Sequence, residues 1–154
     1  MQPQLEGGLR SSFRRILVGW DGSADARRAF RTAAYLAEEI EAELVVLAVL
    51  KQPLHAETAD EAAEEMAERR REVVAEVVAE ARHDSIPASV RLRHEVIDLD
   101  HPTPAFDDYV RQHGFDLVVV GRRGIDRAVH PRIGGVSEHQ VRHSGCPVMV
   151  VGVD

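Results

Sequence analysis

The sequence lacks the features that mark disulfide scaffolds and membrane proteins. Its 154 residues include one cysteine, Cys146, which excludes an internal disulfide and fits a reducing compartment. No stretch approaches the ~20 apolar residues that a membrane helix needs, so no membrane contact is expected. Residues 1–12 have no apolar signal-peptide core and are expected to form a flexible tail. We therefore expect a cytoplasmic location.

Aromatic residues and positive charge are also scarce. Phe, Trp and Tyr make up 5% of the chain, so the core is expected to consist of Val, Leu, Ile and Ala. Acidic residues outnumber basic ones by 26 to 19, and the net charge of -7 argues against nucleic acid as a partner. The length suggests one domain, which we assign to residues 13–154.

Short apolar runs alternate with helical patterns along this domain. The predicted strands are Phe13–Trp20, Glu43–Leu50, Ala88–Val96, Phe115–Gly121 and Pro147–Val153. The predicted helices are Asp25–Glu41, Asp60–Arg82, Ala105–His113 and Ser137–Ser144. Strands that alternate with helices pair in parallel through right-handed crossovers, which predicts a three-layer α/β domain. The third strand alternates apolar and polar residues, so we expect it at a sheet edge.

Several local expectations follow from individual residues. Ser23 is a predicted N-cap of the first helix, and Ser137 with Gln140 has the spacing of a capping box. His94 is expected to be half-buried on the apolar face of the third strand. Trp20 either stacks on a base or packs under the first helix. The predicted inward face of that helix comprises Ala26, Phe30, Ala33, Ala37 and Ile40.

Two strand ends look suited to a ligand, since open parallel sheets bind ligands beyond the carboxyl ends of their strands. The first strand ends in "VGWDGS" and the fourth in "VVGRRG". If these strands are neighbours, Asp21 lies opposite the loop Gly121–Ser137. Glycines in that loop allow a nest of main-chain amides before a helix start, which favours a phosphate, and its arginines raise the local potential. Simple turn chemistry is the alternative interpretation.

Other nucleotide and metal motifs are absent from the sequence. It has neither G-x-x-x-x-G-K-[ST] nor G-x-G-x-x-G after the first strand. His139 and His143 have the spacing of a metal pair on a helix, but no third ligand is evident, so we interpret them as structural.

The quoted residues resemble the universal stress protein family. "ILVGWDGSADARRAF", the spacing Gly-x2-Gly-x9-Gly and "VSEHQVRHSGCPVMVVGV" carry the resemblance, which spans Phe13–Val153 and points to the nucleotide-binding branch. It implies an adenine nucleotide alpha hydrolase-like sheet of order 3-2-1-4-5 and bound ATP, with or without Mg²⁺. It also implies a homodimer through Val148–Val153, action in stress response through the dimer or a protein partner, and no dedicated catalytic activity beyond slow ATP hydrolysis.

The resemblance also implies roles for particular residues. Asp21 matches the acid on the nucleoside side, and Val49 matches a position whose backbone meets adenine. The predicted binding set is Asp21, Val49, Gly121, Arg122, Arg123, Gly124, Gly134, Gly135, Val136 and Ser137. Two departures are Gly135, where the family has Ser or Thr, and Pro131, where the loop is often helical. They leave open a dimeric interaction module that binds no nucleotide, and a weak ATP hydrolase is a third alternative.

Overall fold

The structure is a computed structural model that describes residues 13–50, 53, 55–83, 86–98, 102–123 and 135–153. The predicted tail, residues 1–12, lies outside the described residues. So do Gly124, Pro131 and Gly134 of the predicted phosphate loop.

Five parallel strands and four helices alternate along the chain. The strands are β1 (Arg15–Gly19), β2 (Glu43–Leu50), β3 (Arg91–Asp98), β4 (Leu117–Gly121) and β5 (Val148–Val151). The helices are α1 (Ala24–Ile40), α2 (Ala59–His83), α3 (Pro102–His113) and α4 (Gly135–His143). The sheet order is β3-β2-β1-β4-β5, with every pair parallel, so the predicted order is confirmed.

Strands β1, β2 and β4 send alternate side chains into two separate cores. Ile16 and Val18 of β1 pack with α1 and α2 on one face, around Phe30 and Val77. Leu17 points to the other face, where Phe106 of α3 and neighbouring residues cover the sheet. Strand residues alternate in this way because successive side chains point to opposite faces of a sheet. The predicted three-layer arrangement is therefore confirmed.

Helix α1 begins as predicted and differs at its end. The Ser23 hydroxyl accepts a hydrogen bond from the Ala26 N–H at 3.1 Å, which confirms the N-cap. Ile40 was expected on the buried face, but it is 38% exposed. The helix ends at Ile40, and Glu41 adopts a left-handed conformation (φ 57°) that turns the chain back toward β2. That turn leaves the last helical residue at the surface.

Helix α3 begins at Pro102, three residues before the expected start at Ala105. Proline is well suited to the first turn of a helix. The N–H groups of that turn have no intrahelical acceptor, so a residue without an N–H loses no hydrogen bond there. The two prolines of "PTP", which lie before the predicted helix, thus belong to its first turn. Gly114 ends the helix as predicted, with φ +66°.

The outermost strand β3 confirms the edge prediction and corrects one residue. His94 was expected to be half-buried, but it is exposed. It lines a shallow groove with Val73 and Val74 of α2, because at the outermost strand the imidazole lies at the rim of the covering helix. Among the helices of the described residues, none combines the length and apolarity needed to cross a membrane.

Candidate functional site

The carboxyl ends of β1 and β4 lie side by side, as the strand order requires. Leu17 of β1 is in register with Val118 of β4. Strand β1 ends at Gly19 and β4 at Gly121, so the segments that follow them start at the same edge of the sheet. We call this the carboxyl edge, and the crevice predicted between Asp21 and Gly121 belongs there.

The turn after β1 is held by its own polar side chains. The Asp21 carboxylate accepts a hydrogen bond from the Ser23 N–H at 2.9 Å, and Gly22 between them has φ +78°. A positive φ is readily accessible to glycine, which permits this tight return into α1. Asp21 is exposed at the surface of the carboxyl edge.

Trp20 packs under the first helix, which was one of its two interpretations. Its side chain is 5% exposed and meets Phe30 edge-on, with ring centroids 5.9 Å apart. The Arg27 guanidinium carbon lies 5.2 Å from the centroid of the indole ring. Within the described part of the chain the buried indole Nε1 has no hydrogen-bond partner.

Val49 lies near the carboxyl end of β2, next to the turn that carries Asp21. Strand β1 pairs with β2 only as far as Gly19 opposite Leu47, and the Trp20 N–H then donates to the Leu47 carbonyl at 2.8 Å. Strand β2 continues beside β3 for three more residues, with Val49 opposite Ile97. Half-buried Val49 therefore lies beside the turn after β1, at the carboxyl edge.

Gly121 has a packing requirement that does not depend on a ligand. A Cβ at this position would lie 2.9 Å from both the carbonyl carbon and the Cβ of Asp25, and 3.0 Å from the Ala26 nitrogen. The start of α1 therefore approaches the end of β4 so closely that only glycine fits. The sequence pattern alone does not separate this reason from close approach to a phosphate.

Arg122 and Arg123 carry positive charge at the end of β4 and contact the segment after β5. Their guanidinium groups donate to the Val153 carbonyl at 3.0 and 3.2 Å, respectively. The Arg122 N–H donates to the Val151 carbonyl at 2.7 Å. Both cations are thus at the carboxyl edge, and both bind the C-terminal segment in this structure.

Asp25 is a polar residue of this edge that sequence reasoning missed. Its side chain is fully buried in the first turn of α1. One carboxylate oxygen accepts from the Arg123 N–H at 3.0 Å, and the other accepts from the Val153 N–H at 3.2 Å. The sequence did offer one signal for it. Asp25 lies four residues after Asp21, in the first turn of the predicted helix, where the helix dipole favours a negative charge.

Helix α4 brings Ser137 to the end of β4 and corrects the predicted capping box. The helix begins at Gly135, so Ser137 lies within its first turn and is not the residue before it. The Ser137 hydroxyl donates to the Gly121 carbonyl. Gln140 is buried and its amide donates to Asp107 on α3 at 3.5 Å. Val136, beside Ser137, packs against the core between α3, α4 and the sheet.

No group of three potential metal ligands occurs among the residues that the structure describes. The rings of His139 and His143 lie 4.7 Å apart, and His139 Nε2 is 3.7 Å from a carboxylate oxygen of Asp107. The pair therefore belongs to the contact between α3 and α4.

The carboxyl edge combines an exposed carboxylate, two cations and a helix start. Of the predicted set, the structure brings together Asp21, Val49, Gly121–Arg123 and Gly135–Ser137, while Gly124 and Gly134 lie outside the described residues. The first amides of a helix lack intrahelical partners and favour anions. The edge can thus offer acceptors to a polar group on one side and donors to an anion on the other.

The fold is a doubly wound α/β domain in which the strand order reverses between the neighbouring strands β1 and β4. The model of the universal stress protein family matches residues 12–152, and the chain belongs to that family.

Relatives of known name agree with this assignment. The chain is 29% identical over 151 residues to the universal stress protein YxiE of Bacillus subtilis, covering 90% of this chain and 99% of YxiE. It resembles the solved structure of the universal stress protein UspA from Lactobacillus plantarum with a TM-score of 0.78 and 25% identity, over 90% of this chain and 97% of UspA.

Solved structures with the same fold include adenine nucleotide complexes. The Archaeoglobus fulgidus universal stress protein was solved in complex with dAMP; it matches with a TM-score of 0.61 and 18% identity over 90% of this chain and 98% of that one. An Arabidopsis thaliana family member was solved with AMP bound, with a TM-score of 0.61 and 18% identity over 92% of both chains. At these identities the likeness concerns the fold alone.

Proposed function

We propose that this protein binds an adenine nucleotide, ATP, at the carboxyl edge and acts in stress response through dimer or partner contacts. The observation that carries the proposal is the convergence of Asp21, Arg123 and Ser137 at the ends of adjacent strands β1 and β4. The nucleotide complexes of proteins with this fold support the same choice of ligand.

The described residues fit such a ligand by their chemistry. Asp21 supplies an exposed carboxylate that can accept from ribose hydroxyls, and Val49 borders the same turn with its main chain. The guanidinium groups of Arg122 and Arg123 and the first amides of α4 offer donors to phosphate oxygens. A neutral carbonyl, that of Val153, now accepts from both guanidinium groups, and a charged phosphate is the stronger acceptor.

The resemblance to the family also implies Mg²⁺. Magnesium in nucleotide sites is held by one or two carboxylates together with the phosphates. Because Asp21 is placed on the nucleoside side, the phosphates would supply most of the protein-bound metal's ligands, so we expect Mg²⁺ to bind with ATP and not without it. Slow ATP hydrolysis and a cytoplasmic location stay predictions.

ATP titration by calorimetry, with a charge-neutral variant, tests the proposal. We expect wild type to bind ATP, and Asp21→Asn to weaken binding about tenfold, because the amide keeps the Ser23 contact and loses the negative charge. Asp108→Asn, at an exposed position on α3, is the matched control and should leave the affinity unchanged. Absence of binding at millimolar ATP in wild type would overturn the proposal.

A second candidate function is an interaction module that binds no nucleotide. It is favoured by the contacts that already engage Gly121, Arg122 and Arg123 with Asp25 and Val153. The nucleotide content of the purified protein separates the two candidates. Nucleotide absorbance released on denaturation would count against the module, and its absence together with no ATP binding would favour it.

We further propose a homodimer through β5, with an unidentified protein as a second potential partner. Strand β5 pairs only with β4 in the described sheet, and Val150 on it is 36% exposed. An open apolar edge strand is a template for pairing. Light scattering should give a dimer for wild type and a monomer for Val150→Lys; a monomeric wild type at working concentration would contradict this part.

A further inference from the structure

The buried carboxylate of Asp25 joins three elements that are distant in sequence. It projects from the first turn of α1 and is fully buried. Its partners include Arg123, two residues after β4, and Val153, two residues after β5. Helix α1 is thereby connected to the segments that follow β4 and β5.

The contact with Arg123 involves both the main chain and the side chain. The Arg123 N–H donates to one carboxylate oxygen at 3.0 Å, and the Arg123 Nε lies 3.5 Å from the same oxygen. The far end of the guanidinium donates to the Val153 carbonyl at 3.2 Å. Because the Val153 N–H donates to the second oxygen of Asp25, the three residues form a closed ring of contacts.

These contacts determine where the Arg123 guanidinium lies. A buried charge needs paired partners, and removing one of them leaves the others unsatisfied. The carboxylate therefore fixes the main chain and the guanidinium of Arg123 relative to α1. The Ser137 hydroxyl fixes the start of α4 to Gly121, two residues before Arg123, so the cation and the helix amides share one frame.

We propose that Asp25 is a positioning residue of the nucleotide site, which holds Arg123 in place for the phosphates without touching the ligand. The inference rests on the proposed function. It further implies that the segment at Val153 is coupled to phosphate affinity, because the same carboxylate binds both.

A matched control exists at the opposite edge of the sheet. Asp116, directly before β4, also accepts from two main-chain amides, those of Arg14 and Arg15, at 2.7 and 2.9 Å. Asp25→Asn and Asp116→Asn thus make the same chemical change to a carboxylate that clasps the backbone. Only the first change is made at the carboxyl edge.

The experiment compares the affinities for ATP and for adenosine. In Asp25→Asn we expect the ATP affinity to fall about tenfold and the adenosine affinity by less than about twofold, since only phosphates need Arg123. Asp116→Asn should change neither. An equal loss for both ligands in Asp25→Asn, or a similar ATP loss in Asp116→Asn, would overturn the positioning role.

A readout without ligand separates this inference from the proposed function. Amide hydrogen exchange at Arg123 and Val153 should be faster in Asp25→Asn than in wild type and unchanged in Asp116→Asn. If wild type binds no ATP, the proposed function and the positioning role both fail, but faster exchange still establishes the structural clasp. Unchanged exchange overturns the clasp itself.

A second variant covers the case in which Asp25→Asn does not fold. Val153→Pro removes the N–H that donates to Asp25 and leaves both Asp25 and Arg123 in place. We expect it to weaken ATP about threefold without changing adenosine affinity, because one of the two carboxylate oxygens loses its partner. Unchanged ATP affinity in this variant would contradict the coupling to Val153.

Discussion

Asp25 and Asp116 clasp main-chain amides at opposite edges of the same sheet. Asp116 belongs to the amino edge, where its carboxylate bridges the chain before β4 to the start of β1. Asp25 belongs to the carboxyl edge, where its carboxylate bridges α1 to the segments after β4 and β5. Asp116 is half-buried, whereas Asp25 is fully buried and also faces the guanidinium of Arg123.

The two carboxylates differ in whether backbone pairing already holds the segments that they connect. At the amino edge the two strands already pair, and Asp116 adds hydrogen bonds to neighbours that the sheet holds together. Around it, the Arg15 guanidinium lies 4.7 Å above the Phe115 ring. At the carboxyl edge the chain leaves the sheet, and Asp25 fixes segments that backbone pairing no longer holds. A buried carboxylate that loses a hydrogen-bond partner destabilises the fold. Asp25 therefore favours the one arrangement in which the segments after β4 and β5 both contact it.

Filling the closest contact of the carboxyl edge should produce the largest effect. Gly121→Ala places a Cβ 2.9 Å from the Asp25 main chain, so α1 or β4 must shift, and we expect a loss of about 2–3 kcal/mol. Gly114→Ala near the amino edge meets no atom within 4 Å and should lose only about 1 kcal/mol, from its φ of +66°. Urea denaturation of both variants gives the comparison, and equal losses would contradict it.

Neutralising the two clasps should give the next largest difference. Each carboxylate oxygen of Asp25 accepts from a main-chain N–H. In Asp25→Asn an NH₂ group replaces one of these oxygens and faces an N–H, so we expect a loss of about 2 kcal/mol in the free energy of unfolding. Asp116→Asn, half-buried and open to water, should lose about 1 kcal/mol. Thermal or urea unfolding measures both, and a larger loss for Asp116→Asn would reverse the ranking of the edges.

Removing the Ser137 hydroxyl should have the smallest effect of the three. Ser137→Ala leaves the Gly121 carbonyl without that donor, and we expect a loss of about 1 kcal/mol. The same variant tests the predicted phosphate contact of this hydroxyl. Lower ATP affinity with unchanged adenosine affinity is the expected result in calorimetry, and equal affinity of wild type and variant for ATP would exclude a role at the phosphates.

The fold was predictable because its signals are local and regular. Apolar runs such as Glu43–Leu50 form strands buried on both faces, and Ser23 caps α1 as its position indicates. The strand order came from the family resemblance and not from these patterns. Errors lay at the helix ends: the turn after α1 leaves Ile40 exposed, and the local preference of proline for a first helical turn, which we did not apply, begins α3 at Pro102.

The site was predictable only in part, because its contacts join residues that are distant in sequence. Asp25 and Val153 are separated by 128 positions, and no spacing pattern relates them. Ser137 was interpreted as a helix cap, which is a local role. Its hydroxyl instead donates a hydrogen bond to the Gly121 carbonyl, 16 positions earlier, and no local pattern indicates that contact. Gly121 was assigned to a phosphate, and its contact with Asp25 supplies a second reason that only coordinates reveal.

Amide chemical shifts during an ATP titration test the central claim most directly. If the carboxyl edge binds the nucleotide, the amides of Arg123 and Ser137 shift with saturation, while those of Arg14 and Arg15 at the amino edge do not. Shifts confined to the amino edge, or none at either edge at millimolar ATP, would contradict the account.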